Sequence, residues 1–190
     1  PKETQKHAQD LYIGGFISYP RTSSQKLPKA LGYQKILTAL SEQSIYNGLS
    51  NALLAKKSLT PNEGKKSDPA HPAIYPTGIA PKTGDRELKV YDLIVKRFFA
   101  TFSDPAVRET MAISVDCNKE IFVAKGTRTT EKGWHVFYHP YVKLEEEELP
   151  KVNRLDDVEV KSIKKHRKET QPPKRYTPAS IIKALEKKNL

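Results

Sequence analysis

The chain has 190 residues, of which 37% are hydrophobic and 29% are charged, a composition typical of a polar globular protein. No apolar run approaches the ~20 residues that a membrane helix needs, and the single cysteine, Cys117, excludes an internal disulfide and a cysteine-based zinc site. The net charge of +11 favours a polyanionic partner such as nucleic acid, although lysines that only keep a surface soluble would give the same balance.

The charge is unevenly distributed along the chain. Basic residues outnumber acidic ones in residues 1–100 and 151–190, whereas acidic residues are in excess in residues 101–150. The middle of the chain is therefore predicted to be a separate module. The N-terminal stretch has no basic segment leading into an apolar core, so we expect no signal peptide and an intracellular protein.

Helical periodicity dominates the first half of the chain. Residues 3–13 predict a short helix that ends at Gly14-Gly15, and residues 33–57 predict two helices interrupted near Asn47-Gly48. Residues 87–102 predict a core helix with an apolar stripe from Leu88 to Phe102. Between them, residues 58–86 hold five prolines, and a loop of this length is usually functional or disordered.

After Pro105 the pattern changes to that of strands. Residues 109–117, 120–128 and 133–141 predict antiparallel strands, and DVEVKSI at 157–163 predicts one more. The last residues predict a helix with Thr177 as N-cap that runs out at Leu190 without a C-cap. Together with the absent initiator Met, this suggests a piece of a longer protein. The predicted fold class is α+β, a mostly helical domain followed by a small antiparallel β domain.

The stretch GGFISYPRTSS at residues 14–24 combines a tyrosine, a proline and an arginine. Tyr19 precedes Pro20, which keeps Tyr19 extended, and in an extended chain Tyr19 and Arg21 face the same side. A phenol with a pKa near ~10 is a weak nucleophile, but a guanidinium favours the phenolate and binds phosphate. The arrangement suits phosphodiester cleavage, although a tyrosine beside a proline can also be only a half-buried packing residue.

A second cluster, SDPAHPAIYPTG at residues 67–78, contains a histidine in the long loop. His71 precedes Pro72 and is therefore also extended. Its imidazole could donate to a phosphate oxygen and titrates near neutral pH, while a solvated loop histidine would look the same. The other histidines show no ligand spacing and are interpreted as surface or strand residues: His7, His135, His139 and His166.

The two clusters resemble a known family. GFISYPRTSS is similar to the active-site tyrosine motif of type IA DNA topoisomerases, and AHPAIYPTG is similar to the histidine motif of that family, in the same order. The segments YDLIVKRFFATFSDPA, GWHVFY and RYTPASIIKALEKKNL resemble, in turn, the helix that leaves the tyrosine-bearing domain, a strand of the gate-arch domain and the return into the base. The resemblance covers nearly the whole chain and is nearest to the topoisomerase I/III branch.

The resemblance implies roles for individual residues. Tyr19 would be the nucleophile that becomes linked to a 5′ phosphate of single-stranded DNA, Arg21 would position that phosphate, and His71 would assist beside it. Thr22, Ser23 and Arg97 are further DNA-binding candidates. Ser23 stands where many relatives have an acidic residue, so a carboxylate contact is not expected there.

The resemblance also implies a domain organisation. Residues 1–102 would form the helical domain with the active-site tyrosine, residues 103–168 the β-rich arch or hinge, and residues 169–190 the start of a truncated base. We expect the joints at Pro105 and at residues 167–175. The Mg²⁺ cofactor of the family would be bound by an N-terminal domain outside this chain, so no metal ligand is assigned here and the fragment alone is expected to be inactive. The acidic run at residues 145–148 is interpreted as a solvated loop.

The expected activity is that of an isomerase that relaxes DNA by passing a strand through a transient break. The implied partners are single-stranded DNA, the metal-binding and base domains of the same protein, and a helicase. The implied location is the cytoplasm, in association with the nucleoid, and no membrane partner is expected. The alternative is a non-catalytic, basic module that only binds nucleic acid. Such binding would weaken with salt under either hypothesis.

Overall fold

A computed structural model describes residues 2–68 and 70–188, which divide into two compact units, Lys2–Pro150 and residues 151–188. Helices together with one two-stranded antiparallel sheet confirm the predicted α+β class. The first unit contains, in chain order, α1 (Lys2–Ile13), a 3-10 turn (Lys29–Leu31), α2 (Tyr33–Ser41), α3 (Asn47–Leu54), α4 (Asp85–Thr101), β1 (Val107–Cys117), β2 (Glu120–Glu131) and α5 (Trp134–Tyr138). The second contains α6 (Pro178–Lys187). The domain boundaries at residues 102 and 168 stay a prediction.

Helix α4 carries the core of the first unit. Its Tyr91, Val95, Phe98 and Phe99 are buried, as the predicted stripe requires, whereas Leu88 in the first turn is exposed. Each such apolar side chain contributes about 1.5–3 kcal/mol when it is removed from water. The same core receives buried leucines from α1, α2 and α3: Leu11, Leu37, Leu40 and Leu53. No helix among the described residues is long and apolar enough to cross a membrane.

The second predicted helical stretch is divided into α2 and α3, as expected, but the break lies at residues 42–46. Asn47 and Gly48 begin α3 instead of interrupting a helix. The side-chain amide of Asn47 donates to the Ser41 carbonyl at 2.6 Å and so satisfies an otherwise free acceptor at the end of α2. Tyr46, within the break, is buried and fills the space between the helices.

The proline-rich loop between α3 and α4 is ordered by backbone hydrogen bonds. Tyr75 and Thr77 pair with the segment that follows α1, and the Ala73 N–H donates to the Lys26 carbonyl at 2.8 Å. A single β-bridge joins Ile17 and Pro76. The loop is therefore packed against the helical core. Pro69, which belongs to the predicted irregular stretch, lies outside the described residues.

Strands β1 and β2 form an antiparallel hairpin, as predicted. Asn118 and Lys119 both have positive φ angles, the conformation that two-residue hairpin turns require. Ile121, Phe122 and Val123 are more than half exposed.

The third predicted strand, residues 133–141, is wrong, because residues Trp134–Tyr138 form the short helix α5. Gly133 has a φ of 45° and turns the chain out of β2, after which the Trp134 N–H donates to the Asp104 carbonyl at 2.9 Å. Phe137 then packs against the helical core. Aromatic residues have high β propensity, but here packing on α4 determines the structure.

In the second unit, the predicted strand at residues 157–163 is also wrong. These residues are irregular and exposed, since a strand without a paired neighbour is not stable. Helix α6 is confirmed, and Thr177 is its N-cap, with Ser180 completing a capping box. The helix ends at Lys187. It was predicted to continue to Leu190, but Asn189 and Leu190 lie outside the described residues.

Candidate active site

The segment after α1 presents Tyr19 at the surface of the helical core. The Gly14 N–H donates to the Asp10 carbonyl and the Phe16 N–H to the Leu11 carbonyl, both at 3.0 Å, with Gly15 at a φ of 75°. This left-handed glycine ends the helix, as the sequence predicts. Ile17 is then buried and anchors the extended chain. Tyr19 follows two residues later and is half-buried.

The phenol ring of Tyr19 lies between two other rings. Its centroid is 4.5 Å from that of His71, with the planes tilted by 42°, and 5.3 Å from that of Tyr12 in an edge-on arrangement. Within residues 2–68 and 70–188, no hydrogen bond to the Tyr19 hydroxyl is formed. The ring is therefore held by packing while its oxygen keeps its donor and acceptor capacity.

The loop that carries His71 is fastened beside Tyr19 by hydrogen bonds. The Ser18 N–H donates to the Tyr75 carbonyl at 2.9 Å, and the Tyr75 N–H donates to Ser18 Oγ at 2.9 Å. Thr22 Oγ1 donates to the His71 carbonyl at 3.2 Å and accepts from the Ser24 N–H at 3.0 Å. The predicted DNA-binding hydroxyl of Thr22 thus joins the two motifs to each other.

Arg21 is exposed and lies along a surface groove beside α1, where Asp10 and the lysines Lys2 and Lys6 also line the wall. No hydrogen bond between Arg21 and Tyr19 is found in the described part of the chain. Ser23, the next candidate, is exposed as well. Glu3 lines the groove as well, so three cationic side chains face two carboxylates there and the excess of positive charge is small.

Comparison with known proteins identifies the family. A family model described as DNA topoisomerase matches residues 1–190. The chain belongs to the DNA topoisomerase family. It is 46% identical over 189 residues to DNA topoisomerase 1 of Pyrococcus horikoshii, covering 98% of this chain and 28% of the relative. It is 48% identical over 192 residues to DNA topoisomerase 1 of Methanocaldococcus jannaschii, covering 100% and 25%.

A third relative, DNA topoisomerase 3-alpha of Homo sapiens, is 31% identical over 186 residues, which cover 98% of this chain and 18% of that protein. The topoisomerase resemblance drawn from the two motifs is thereby confirmed at the level of the family. The chain spans less than a third of each of these relatives.

Arg97 lies on a different element from Tyr19 in this topoisomerase chain. It projects from α4, with its guanidinium carbon 5.4 Å from the centre of the Tyr138 ring. It also lines a surface cavity of about 430 Å³ together with Ser24 and Ala73. Ser24 lies two residues after Thr22, and Ala73 lies two residues after His71. Its role in DNA binding stays a prediction.

Sequence reasoning missed Tyr12 as a neighbour of Tyr19. The Tyr12 side chain is 41% exposed, and its ring contacts that of Tyr19. The chain reverses direction at Gly14-Gly15, and only this turn brings the end of α1 back to Tyr19. Helical periodicity alone contains no information about the angle at which the chain leaves the turn.

Mg²⁺ prefers oxygen donors in octahedral geometry, and in the described part of this topoisomerase chain no three carboxylates converge on their own. In the acidic run, the Glu148 carboxylate pairs with Arg128 at 2.8 Å. Where three ligand-type side chains do converge within the described part, one donor is the nitrogen of His7. No reaction step is assigned to Mg²⁺ here.

Proposed function

We propose that this chain is the nucleophile-bearing part of a type IA DNA topoisomerase and that Tyr19 forms a transient covalent bond with single-stranded DNA. The observation that carries the proposal is the packing of the Tyr19 and His71 rings at 4.5 Å, because two motifs from distant segments meet at one surface point. The net charge of +11 and the exposed guanidinium of Arg21 support a DNA substrate.

The proposed step is a transesterification. The Tyr19 phenol loses its proton, its oxygen attacks a backbone phosphorus and a tyrosine O–P bond forms. The bond from phosphorus to the 3′ oxygen breaks, and that oxygen takes up a proton to leave as a 3′ hydroxyl. The downstream strand stays on Tyr19 through its 5′ phosphate. The reverse step reseals the strand, since one ester bond replaces another.

Arg21 and His71 have separate parts in this proposal. The guanidinium of Arg21 neutralises the phosphate and favours the charge that develops on its oxygens. His71 keeps the Tyr19 ring in place by packing and offers a nitrogen to a phosphate oxygen. Thr22 maintains the distance between the two motifs through its bond to the His71 carbonyl.

Strand passage is proposed to need the rest of the protein. We infer that Mg²⁺, the domain that binds it and the remainder of the base belong to other segments, so this chain alone is inactive. We further infer a cytoplasmic, nucleoid-associated enzyme with a helicase partner, and a joint near Pro105. Lys56 Nζ donates to the Phe102 carbonyl at 3.0 Å and to Asp104 Oδ1 at 2.7 Å, contacts that would restrain this joint.

The second candidate is a non-catalytic module that binds nucleic acid. The half-buried position of Tyr19 between two rings favours this candidate, because a residue that only packs would have the same surroundings. The two candidates differ in what they require of the phenol oxygen. Tyr19→Phe keeps the ring contacts and removes the oxygen, so it separates the two functions.

The test is a covalent trap with the full-length protein and single-stranded DNA labelled at its 3′ end, denatured after incubation with Mg²⁺. We expect labelled DNA on the peptide that contains Tyr19, and none with Tyr19→Phe. Tyr12→Phe is the matched control, because it changes the neighbouring phenol and should leave the adduct intact. An adduct that persists in Tyr19→Phe, or binding without any adduct in the parent, would refute the enzyme proposal.

A further inference from the structure

A cluster of metal-ligating side chains lies where α1 packs on α4. His7 and Asp10 come from α1, and Glu87 comes from the first turn of α4. One imidazole nitrogen and one oxygen from each carboxylate all lie within 4.8 Å of one another. Sequence reasoning did not predict this cluster, because Glu87 is remote from His7 and Asp10 along the chain.

The helical geometry explains the convergence. Residues three apart on a helix lie on the same face, so His7 and Asp10 project together toward α4. His7 Nδ1 is 2.6 Å from Glu87 Oε1, and these two side chains are only 18% and 20% exposed. A histidine paired three residues from a carboxylate on one helix is a ligand arrangement known from metal sites in helical bundles.

The electrostatics of the cluster favour an added cation. Two carboxylates that approach within 4.8 Å repel each other unless positive charge lies between them. Of the two carboxylates, that of Glu87 forms a hydrogen bond with His7 Nδ1. The Asp10 carboxylate, by contrast, accepts no hydrogen bond from the described residues.

We propose that His7, Asp10 and Glu87 bind a divalent transition-metal cation of the zinc class. One imidazole nitrogen and two carboxylate oxygens suit Zn²⁺, and three protein ligands leave a position for water. Donors around a tetrahedral zinc ion lie about 3.3 Å apart, given bonds of about 2.0–2.1 Å. The cation displaces the proton between His7 and Glu87, whose donor atoms separate from 2.6 Å, while donor atoms that lie up to 4.8 Å apart close toward the tetrahedral separation.

Such a site would fasten α1 to α4. The C-terminal end of α1 leads through Gly14-Gly15 to Tyr19, and Asp10 lines the same groove as Arg21. Cation binding would therefore stabilise the support of the Tyr19 segment without contacting the phenol. A ligand that binds only the folded state raises the melting temperature by mass action.

The test uses the tag-free 190-residue chain. Equilibrium dialysis measures Zn²⁺ binding, and thermal unfolding measures its effect on the melting temperature. Co²⁺ serves as a substitute ion that absorbs visible light. We expect one ion per chain and a rise in melting temperature of roughly 5–10 °C at a hundredfold excess over Kd. Mg²⁺ should not reproduce this rise. If it does so at the same concentration, or if no saturable Zn²⁺ binding is found, the proposal is wrong.

Two substitutions and two matched controls locate the site. His7→Gln and Asp10→Asn should each weaken Zn²⁺ binding at least about tenfold. Glu3→Gln removes an acid from the same two-helix interface, where it meets only Arg86 at 3.9 Å, and His166→Gln removes an exposed histidine. Both controls should bind like the parent. Binding that survives in both site variants, or that falls equally in a control, assigns the ion elsewhere and overturns the proposal.

Discussion

The imidazole ring of His71 lies 4.5 Å from the phenol ring of Tyr19, tilted by 42°. No hydrogen bond joins a ring nitrogen of His71 to another group within the described residues. The contact is therefore made by the ring atoms, while both nitrogens stay free to meet a substrate. A packing role and a chemical role are combined in one side chain, and they can be separated by substitution.

His71→Phe keeps a ring beside Tyr19 but removes both nitrogens. If the nitrogens act on the phosphate, His71→Phe and His71→Ala should both slow formation of the covalent adduct, by ~10²-fold, as for loss of a proton-transferring group. The rate is measured with 3′-labelled single-stranded DNA in the full-length protein. His166→Ala, which removes an exposed histidine, serves as control. Normal rates in His71→Phe together with slow rates in His71→Ala would show that only packing matters.

Thr22→Val removes the hydroxyl that bridges the two motifs. The bond to the His71 carbonyl and the bond from the Ser24 N–H are both lost, and the free energy of unfolding should fall by about 1–2 kcal/mol. Thr22→Ser retains the hydroxyl and should lose much less. Urea unfolding of the 190-residue chain measures both. Equal stability of Thr22→Val and the parent would contradict the assigned hydrogen bonds.

Arg21→Gln should reduce the dependence of single-stranded DNA affinity on salt. Each phosphate contact contributes about 0.7 to the slope of log affinity against log salt for single strands, so the slope should fall by about that amount. Arg97→Gln should behave in the same way if its guanidinium leaves the Tyr138 ring for DNA. Arg108→Gln, on the exposed hairpin, is the control. Unchanged slopes for Arg21→Gln would remove this residue from the DNA site.

The stability of the first unit should fall at high pH. Asp92 accepts hydrogen bonds from the hydroxyls of Tyr46 and Tyr141, and burial, followed by the interaction with the Asp92 carboxylate, raises the pKa of both phenols well above the ordinary value. Because the phenols stay neutral in the folded state, their contribution is complete below about pH 10 and is lost as the pH rises beyond it.

The measurement for this prediction is the free energy of unfolding in urea between about pH 8 and pH 11. Each phenol can contribute a slope of at most about 1.4 kcal/mol per pH unit above pH 10. Tyr141→Phe has one titrating phenol fewer, so its loss of stability should be less steep than that of the parent. Parallel curves for the two proteins would show that the Tyr141 pKa is not raised.

Local patterns predicted the helical half of the chain well. The α4 stripe, the stop at Gly14-Gly15 and the capping by Thr177 all follow from side-chain periodicity and backbone preference within a few residues. The two motifs also identified the family, but the roles of Tyr19, Arg21 and His71 stay predictions. The meeting of Tyr19 and His71 needed the family resemblance, because nothing local to either motif indicates the fold of the long loop.

The errors fall where tertiary contacts decide the conformation. GWHVFY has the aromatic content of a strand, yet the turn at Gly133 and the packing of Phe137 on the helical core make it a helix. DVEVKSI alternates as a strand does, but it has no neighbouring strand within the described residues and stays irregular. In the first case tertiary contacts override the local preference for a strand, and in the second case the contacts that a strand needs are missing.

The hydrogen bonds of Ser18 with Tyr75 connect the chain on one side of Tyr19 with the loop that carries His71. The Thr77 N–H adds a third bond, to the Phe16 carbonyl at 3.0 Å. The two motifs are therefore joined to each other by several hydrogen bonds. Under the proposed mechanism, a movement of the gate would displace Tyr19 and His71 together, and a strand held on Tyr19 would keep the same histidine beside it from cleavage to resealing.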